Sequence, residues 1–154
     1  MHNKKIVLTR FLKNFFRCGL TGWCLEILFT SFCAFRNQDF RLTGTTSLWM
    51  FPIYGSAAFL NPLFHLLRKR PLLLRGIIYM ICIFAGEYIS GMLLTRHNLC
   101  PWDYSQSKFN IQNVIRLDYA PYWFGTGLLF EHLLCPTQVR DGTPRIPSHS
   151  SNKP

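Results

Sequence analysis

The three glutamates of this 154-residue chain all lie inside apolar stretches. Glu26 interrupts the run GWCLEILFTSF, and Glu87 and Glu131 occupy comparable runs further along the chain. An ionisable side chain within a membrane span is costly and commonly marks an ion, proton or substrate pathway. Two carboxylates at one depth in a low-dielectric interior cannot both stay ionised cheaply, so one is protonated or a cation lies between them.

A structural role for the same glutamates is also open. Each has a glycine four residues away on the same helix face, and these glycines are Gly22, Gly91 and Gly127. Because glycine lets another helix approach closely, the carboxylates should point into a bundle and form interhelical hydrogen bonds. We expect Glu26 and Glu87 to lie at similar depth near the midplane. Glu131 should lie nearer the cytoplasm, in the polar interior beside His132 and within reach of His65.

The elements that must position these carboxylates are four apolar runs separated by basic or polar segments. The runs cover residues 15–35, 48–67, 76–94 and about 119–135. Each is roughly 17–21 residues long, enough to cross a hydrocarbon core about 30 Å thick. Only 16% of residues are charged, against about 25% in soluble domains. We therefore expect an all-α membrane protein, a bundle of four transmembrane helices.

The distribution of positive charge predicts the orientation of this bundle. Twelve Lys and Arg residues fall on one side of the four runs and five on the other. The five are Arg36, Arg41, Arg96, Lys108 and Arg116. Since cytoplasmic loops carry the basic excess, both termini should be cytoplasmic. The net charge of +10 is thus explained by topology, and no nucleic-acid partner is expected.

The chain divides into three parts on this interpretation. Residues 1–14 form a basic cytoplasmic N-terminal segment, residues 15–135 the membrane domain, and residues 136–154 a disordered cytoplasmic tail rich in Pro, Ser and Thr. Within the second run, Pro52 and Gly55 either loosen the helix near the outer boundary or mark an ordinary helix entry.

The external segment between the last two runs, residues 95–118, carries the sequence WDYS. Asp103 and Ser105 can cap a following helical turn, and Trp102 and Tyr104 can lie at the interface as an amphipathic lid. We expect this segment to fold back over the external mouth of the bundle. The alternative is a mobile loop with interfacial aromatics.

The six cysteines show no CxxC or Cys/His metal spacing, so neither a metal site nor a cofactor is expected. Cys33 and Cys100 fall near the same face and can pair in an oxidising compartment. The expected partners are the lipid bilayer and either a membrane protein or further copies of this chain.

Three motifs carry a resemblance to a known family: GWCLE (22–26), LTGTTSLWMFPIYG (42–55) and WDYS…FNI…APYWFGTG (102–127). They resemble the putative ABC-transporter type IV (CmpB-like) family and, within it, the animal transmembrane protein 229 group. The resemblance covers roughly residues 15–135 and implies a multi-pass membrane protein. The positions carried over are Gly22, Glu26, Pro52, Tyr54, Gly55, Glu87, Trp102, Asp103, Tyr104, Ser105, Asn110 and Trp123. The sequence contains no GxxxxGK[ST] nucleotide-binding motif, so any ATPase would be a partner chain.

Three functions remain open from the sequence. The leading hypothesis is a non-enzymatic accessory or partner-binding membrane protein. The second is a small oligomeric transporter that moves a cation or small solute using the glutamates. The third is a membrane-embedded lipid-modifying enzyme with Asp103, His132 or a glutamate as acid or base. A transporter needs a polar, solvent-reachable path through Glu26 and Glu87, whereas an accessory protein needs a closed, packed interior.

Overall fold

The fold is mostly helical in the computed structural model, which describes residues 2–136. The disorder expected for the tail concerns residues 137–154, which lie outside this range. The α-helices are α1 (His2–Arg36), α2 (Met50–Gly55), α3 (Asn61–Leu67), α4 (Leu72–Arg96) and α5 (Ala120–Leu134). Two 3₁₀ turns (Ser56–Leu60 and Leu117–Tyr119) and two short strands, β1 (Asn110–Ile111) and β2 (Ile115–Arg116), complete it.

Two helices, α1 and α4, are long and apolar enough to cross a membrane. Helix α1 is continuous for 35 residues, about 52 Å at 1.5 Å per residue, so the basic segment 1–14 and the first apolar run form one helix. Only 17% and 22% of the most apolar windows of α1 and α4 are buried. A core helix of a soluble protein would be mostly buried, so these two helices indicate a membrane protein.

The outer surface of α4 shows what this low burial means. Ile77, Ile81, Ile89 and Leu93 are all exposed, and at intervals of four or eight residues they form a stripe that winds around the helix. Soluble monomers rarely expose long apolar stretches, whereas a bilayer solvates them. This stripe of α4 is therefore suited to contact with lipid.

The second apolar run is broken into three pieces, although we expected one continuous span over residues 48–67. Pro52 lies in the first turn of α2, where its missing N–H costs little. The helix tightens into the 3₁₀ turn directly after Gly55, and Pro62 lies in the first turn of α3. The Phe15 ring of α1 covers Gly55 so closely that a Cβ there would lie 2.8 Å from it. The change of helix type therefore comes directly after a tight contact with α1.

Glycine also governs the packing of α4 on α5. A Cβ at Gly127 would lie 2.5 Å from the Cβ of Tyr79, and one at Gly76 would overlap the Phe124 ring. Tyr79 is fully buried and meets Phe64 of α3 edge-on, with ring centroids 4.8 Å apart. Small residues on both helices thus permit the close approach that joins α3, α4 and α5 into one core.

Helix α5 is shorter than the run that predicted it. Its 15 residues span about 22 Å, less than the roughly 30 Å of a hydrocarbon core. Among the helices of residues 2–136, therefore, only α1 and α4 reach the length of a membrane span.

The two strands form a hairpin that the sequence did not predict. Asn110 pairs with Arg116 and Ile111 with Ile115, in antiparallel register. The hairpin turns through Gln112 and Asn113, whose φ angles are 49° and 62°. Asn is common in this left-handed region, but Gln is not, and no glycine marks the turn. The hairpin therefore lacks the usual sequence signal.

Candidate functional site

A cavity of about 270 Å³ lies between α1, the broken second segment, α4, α5 and the external segment. Glu26 and Glu87 both line it, and Glu131 does not. Nine of its twenty lining residues are aromatic, among them Phe29, Tyr54, Trp102, Tyr104, Tyr122 and Trp123. The two carboxylates that we expected at similar depth thus face one aromatic space.

Glu26 is half-buried and accepts a hydrogen bond from Tyr54. The Tyr54 hydroxyl donates to Oε2 of Glu26 over 2.7 Å. One helical turn before Glu26 a Cβ at Gly22 would overlap the Tyr54 ring. Gly22 therefore provides the space for the Tyr54 ring to lie across α1 and reach Glu26, which gives the Gly22–Glu26 spacing a structural reason.

Glu87 is 8% exposed and has both carboxylate oxygens engaged. The indole N–H of Trp123 in α5 donates to Oε2 over 3.1 Å. The Tyr104 hydroxyl, from the external segment, donates to Oε1 over 3.3 Å. The Glu87 carboxylate of α4 thus links α4 to α5 through one oxygen and to the external segment through the other.

The external segment is anchored on α4. The Trp102 indole donates to the Val114 carbonyl over 3.0 Å, and the Tyr88 hydroxyl of α4 donates to Gln112 over 2.8 Å. A Cβ at Gly91 would lie 2.9 Å from Val114. Gly91 therefore accommodates the hairpin, whereas we expected it to accommodate a helix.

Tyr104 is the residue of this segment that reaches the cavity from outside the apolar runs. Burial and the neighbouring Glu87 carboxylate raise the pKa of its hydroxyl above the ordinary value. Both causes favour the neutral phenol, because an ionised one would be desolvated beside a second negative charge. Tyr104 is therefore a hydrogen-bond donor to Glu87.

The remaining polar residues of the segment stabilise its turns. Asp103 is exposed and accepts hydrogen bonds from the Ser105 N–H over 2.9 Å and the Ser105 hydroxyl over 3.0 Å. The next regular element after Asp103 is the strand β1, so these hydrogen bonds close a local turn where we expected the cap of a helical turn. Asn110 donates to the Ser107 carbonyl over 2.6 Å. Neither Asp103 nor Asn110 lines the cavity.

Glu131 belongs to a separate cluster. It is 6% exposed and pairs with Arg75 of α4, with Nη1 and Oε1 2.6 Å apart. We expected it to lie beside His132 and within reach of His65. His65 instead contacts the Cys135 sulfur at 3.3 Å, and His132 is exposed. His132 nevertheless lines a small pocket together with Glu131, Arg68 and Arg75.

All six cysteines are free, including Cys33 and Cys100, so the disulfide considered between those two is not formed. Within residues 2–136 no group of three or more His, Cys, Asp or Glu side chains is placed to hold a metal ion. The acidic side chains of the cavity are Glu26 and Glu87, which accept hydrogen bonds from tyrosine and tryptophan donors.

In the described part of the chain, the ionisable carboxylates of the cavity have no basic side chain beside them in its wall. Among residues 2–136 no lysine, arginine or histidine lines the cavity. Arg75 is paired with Glu131. Arg116 contacts Asp118 at 2.8 Å and lies over the ring of Tyr119, a residue of the cavity wall, 4.5 Å from its centroid. Basic side chains near the spans thus neutralise other carboxylates and leave Glu26 and Glu87 with neutral donors alone.

Tyr122 is a cavity residue that the sequence did not single out. Its hydroxyl is buried and has no hydrogen-bond partner in the described part of the chain. Its ring packs against Trp123 at 4.9 Å and Phe29 at 4.9 Å between centroids. In the sequence Tyr122 is one of several adjacent aromatic residues in APYWFG. The spacing of these residues does not show which of them lines a cavity and which lies at the membrane interface.

A comparison with protein families identifies a family for this chain. The model of the family described as putative ABC-transporter type IV matches residues 13–151. That range includes every helix after the first turns of α1 and both cavity glutamates. No solved structure matches this chain.

Proposed function

This chain belongs to the putative ABC-transporter type IV family, and from that premise we propose that it binds and carries a small solute across a membrane. The cavity beside Glu26 and Glu87 is the proposed solute site. In this proposal the chain crosses the membrane four times, through α1, Met50–Leu67, α4 and α5, with both termini cytoplasmic. We also assign it, on its motifs, to the animal transmembrane protein 229 group.

The observation that carries this proposal is the cavity. An accessory protein needs a closed, packed interior, and a carrier needs space around its polar residues. The cavity of about 270 Å³ lies where four helical segments and the external segment meet, and two carboxylates face it. It therefore favours the carrier over the accessory role that the sequence alone placed first.

The broken second segment adds support. Discontinuous helices near the membrane midplane supply the substrate sites of many transporters, because the break frees backbone groups to face a cavity. Here the 3₁₀ turn Ser56–Leu60 contributes Ser56, Ala57, Phe59 and Leu60 to the cavity wall. Irregular backbone at membrane depth is tolerated where it lines such a space.

Helix α5 alone is short for a membrane crossing, and the turn before it adds to its length. The 3₁₀ turn Leu117–Tyr119 leads directly into α5, and we propose that the two together complete the fourth crossing. A bilayer accommodates a short span by thinning locally, at a cost of fractions of a kcal/mol per Å of mismatch.

We propose further that the energy for transport, if it is ATP, comes from a partner chain, since this sequence contains no GxxxxGK[ST] motif. That partner, or a second copy of this chain, would bind a surface other than the cavity. A lipid-modifying enzyme is a weaker alternative because Asp103 and His132 lie outside the cavity wall.

Solute release from proteoliposomes tests the proposal. The vesicles are loaded with a panel of small neutral, anionic and cationic solutes, and release is followed by mass spectrometry. Position 86 lines the cavity, and a Cβ there meets no atom within 4 Å, so Gly86→Leu has room to fill the space. We expect the parent to release at least one solute and Gly86→Leu to release none.

The matched control is Gly125→Leu. A Cβ at Gly125 also meets no atom within 4 Å, but Gly125 does not line the cavity. This variant should release solute at the rate of the parent. Release by Gly86→Leu at that same rate, or none from the parent with any solute, would contradict the proposal.

A further inference from the structure

We infer that the solute of this cavity is a small organic cation, an ammonium compound that also carries a hydroxyl group. The inference rests on the proposed function, because it names the chemical class of the solute for the same site. Three features of the cavity carry it: uncompensated carboxylates, aromatic walls and a buried hydroxyl without a partner.

The charge of the cavity calls for a cation from outside the chain. Glu131 and Asp118 each lie against an arginine, at 2.6 Å and 2.8 Å. Glu26 and Glu87 receive only neutral donors, from Tyr54, Tyr104 and Trp123. No basic residue of the described chain lines the cavity. Two such carboxylates are either protonated or compensated by a cation, and in this inference a cationic solute supplies the charge that arginine supplies to the other carboxylates.

The aromatic walls favour an organic cation over a metal ion. Ca²⁺ and Mg²⁺ require about six or more oxygen ligands, and the residues described here hold no cluster of three or more acidic or metal-binding side chains. The rings of Tyr54, Trp123 and Tyr122 line the cavity together with the two carboxylates, with Tyr122 and Trp123 centroids 4.9 Å apart and Tyr54 and Trp123 centroids 6.3 Å apart. Alkylated ammonium groups are bound by such aromatic surroundings through cation–π attraction.

The hydroxyl of the solute is inferred from Tyr122 and Glu26. The Tyr122 hydroxyl is buried at the cavity wall near Tyr54 and Thr126, and it forms no well-aligned hydrogen bond within the described residues. At Glu26 the Tyr54 hydroxyl donates to Oε2, so this cavity-lining carboxylate keeps a second oxygen that can accept from a ligand. A solute that carries both an ammonium and a hydroxyl group satisfies Glu26 and Tyr122 together. A volume of about 270 Å³ limits it to a small molecule, since pockets for drug-sized ligands are about 300–1,000 Å³.

Binding of choline to the purified full chain in nanodiscs tests this inference, with 3,3-dimethyl-1-butanol as the neutral molecule of the same shape. Binding is followed by isothermal titration and by the fluorescence of the cavity tryptophans. We expect choline to bind at least roughly tenfold more tightly than the neutral molecule, since a desolvated cation–π contact alone is worth that much. This comparison needs no variant.

Two variants locate the binding. Glu26→Gln keeps an acceptor for the Tyr54 hydroxyl and should reduce the preference for choline severalfold, while the aromatic rings and Glu87 retain part of it. Asp118→Asn removes an exposed carboxylate outside the cavity and should leave the preference unchanged. A preference for choline that is the same in Glu26→Gln as in the parent would overturn the assignment to this site.

The remaining outcomes separate this inference from the proposed function. Equal binding of the two molecules would overturn the cation and leave a solute cavity. Binding of neither would also overturn the inference. In both cases the proposed function would still stand if a neutral or anionic solute were released from proteoliposomes and Gly86→Leu blocked that release.

Discussion

At the residue scale, the environments of the three glutamates differ in one respect, the source of their hydrogen-bond donors. Glu131 has an arginine partner at 2.6 Å, which makes it a structural ion pair between α4 and α5. Glu26 and Glu87 have phenol and indole donors and face a cavity. A ligand can therefore replace the hydrogen-bond partners of the two cavity glutamates more easily than the arginine partner of Glu131.

Tyr104 provides a pH-dependent prediction at the same scale. Burial and Glu87 raise the pKa of its hydroxyl above the ordinary value of about 10. The neutral phenol therefore stabilises the fold below about pH 10, and this contribution is lost as the pH rises through the raised pKa. An ultraviolet titration of the parent minus that of Tyr104→Phe should show one phenol ionising above pH 10.

A difference titration centred near pH 10 would contradict this placement of Tyr104. It would mean that the hydroxyl is in water rather than against Glu87, and that the external segment does not close this side of the cavity.

Much of this residue-scale arrangement follows from the sequence, and some of it does not. The glycine four residues from each glutamate predicted close contacts there, and Gly22 against Tyr54 has that geometry. The partner of Glu131 was not predicted, because the expected topology placed it beside His132 and within reach of His65, whereas its partner is Arg75. Only the approach of α4 to α5 through Gly76 and Gly127 places Arg75 within reach.

At the element scale, the contact between α1 and α2 determines where Tyr54 lies. A Cβ at Gly22 would overlap the Tyr54 ring, so Gly22→Ala must separate the helices or displace the ring. We expect a loss of unfolding free energy on the order of 1–3 kcal/mol, the usual range for overpacking. Denaturant unfolding in detergent micelles measures it.

Gly125→Ala is the matched control for this substitution. It lies in α5 with nothing within 4 Å of the added methyl group. Its stability should be unchanged or slightly raised, because alanine is the better helix former by about 1 kcal/mol. Equal stability of the two variants would show that Gly22 is not a close-contact position.

The elements also show which local signals are readable. The apolar runs predicted α1 and α4, because a long uninterrupted apolar sequence is a strong helix signal. The 3₁₀ turn at Ser56–Leu60 was missed, since its residues SAAFL are compatible with a regular helix. The hairpin was missed because Gln112 and Asn113 adopt left-handed conformations without a glycine.

At the scale of the whole molecule, the orientation of the chain follows from its charge distribution and remains a prediction. Labelling with a membrane-impermeant maleimide tests it, in a background in which the six cysteines are replaced. Gln38→Cys and Lys108→Cys lie on the expected outer side and Lys69→Cys on the cytoplasmic side, and all three residues are exposed. In intact cells the first two should react, and the third should react only after permeabilisation.

Reaction of Lys69→Cys in intact cells would contradict both cytoplasmic termini and the four crossings. Gln38 and Lys108 labelled from opposite sides would also contradict them, because the two loops would then be separated by an odd number of crossings.

The central claim is that Glu26 and Glu87 form the solute site of a membrane carrier. The most direct test is proteoliposome flux with the double variant Glu26→Gln, Glu87→Gln, after its insertion and melting temperature are shown to match the parent. Amides keep acceptors for Tyr54, Tyr104 and Trp123 while removing the charge. We expect flux in the parent and none in the variant, and equal flux in both would contradict the account.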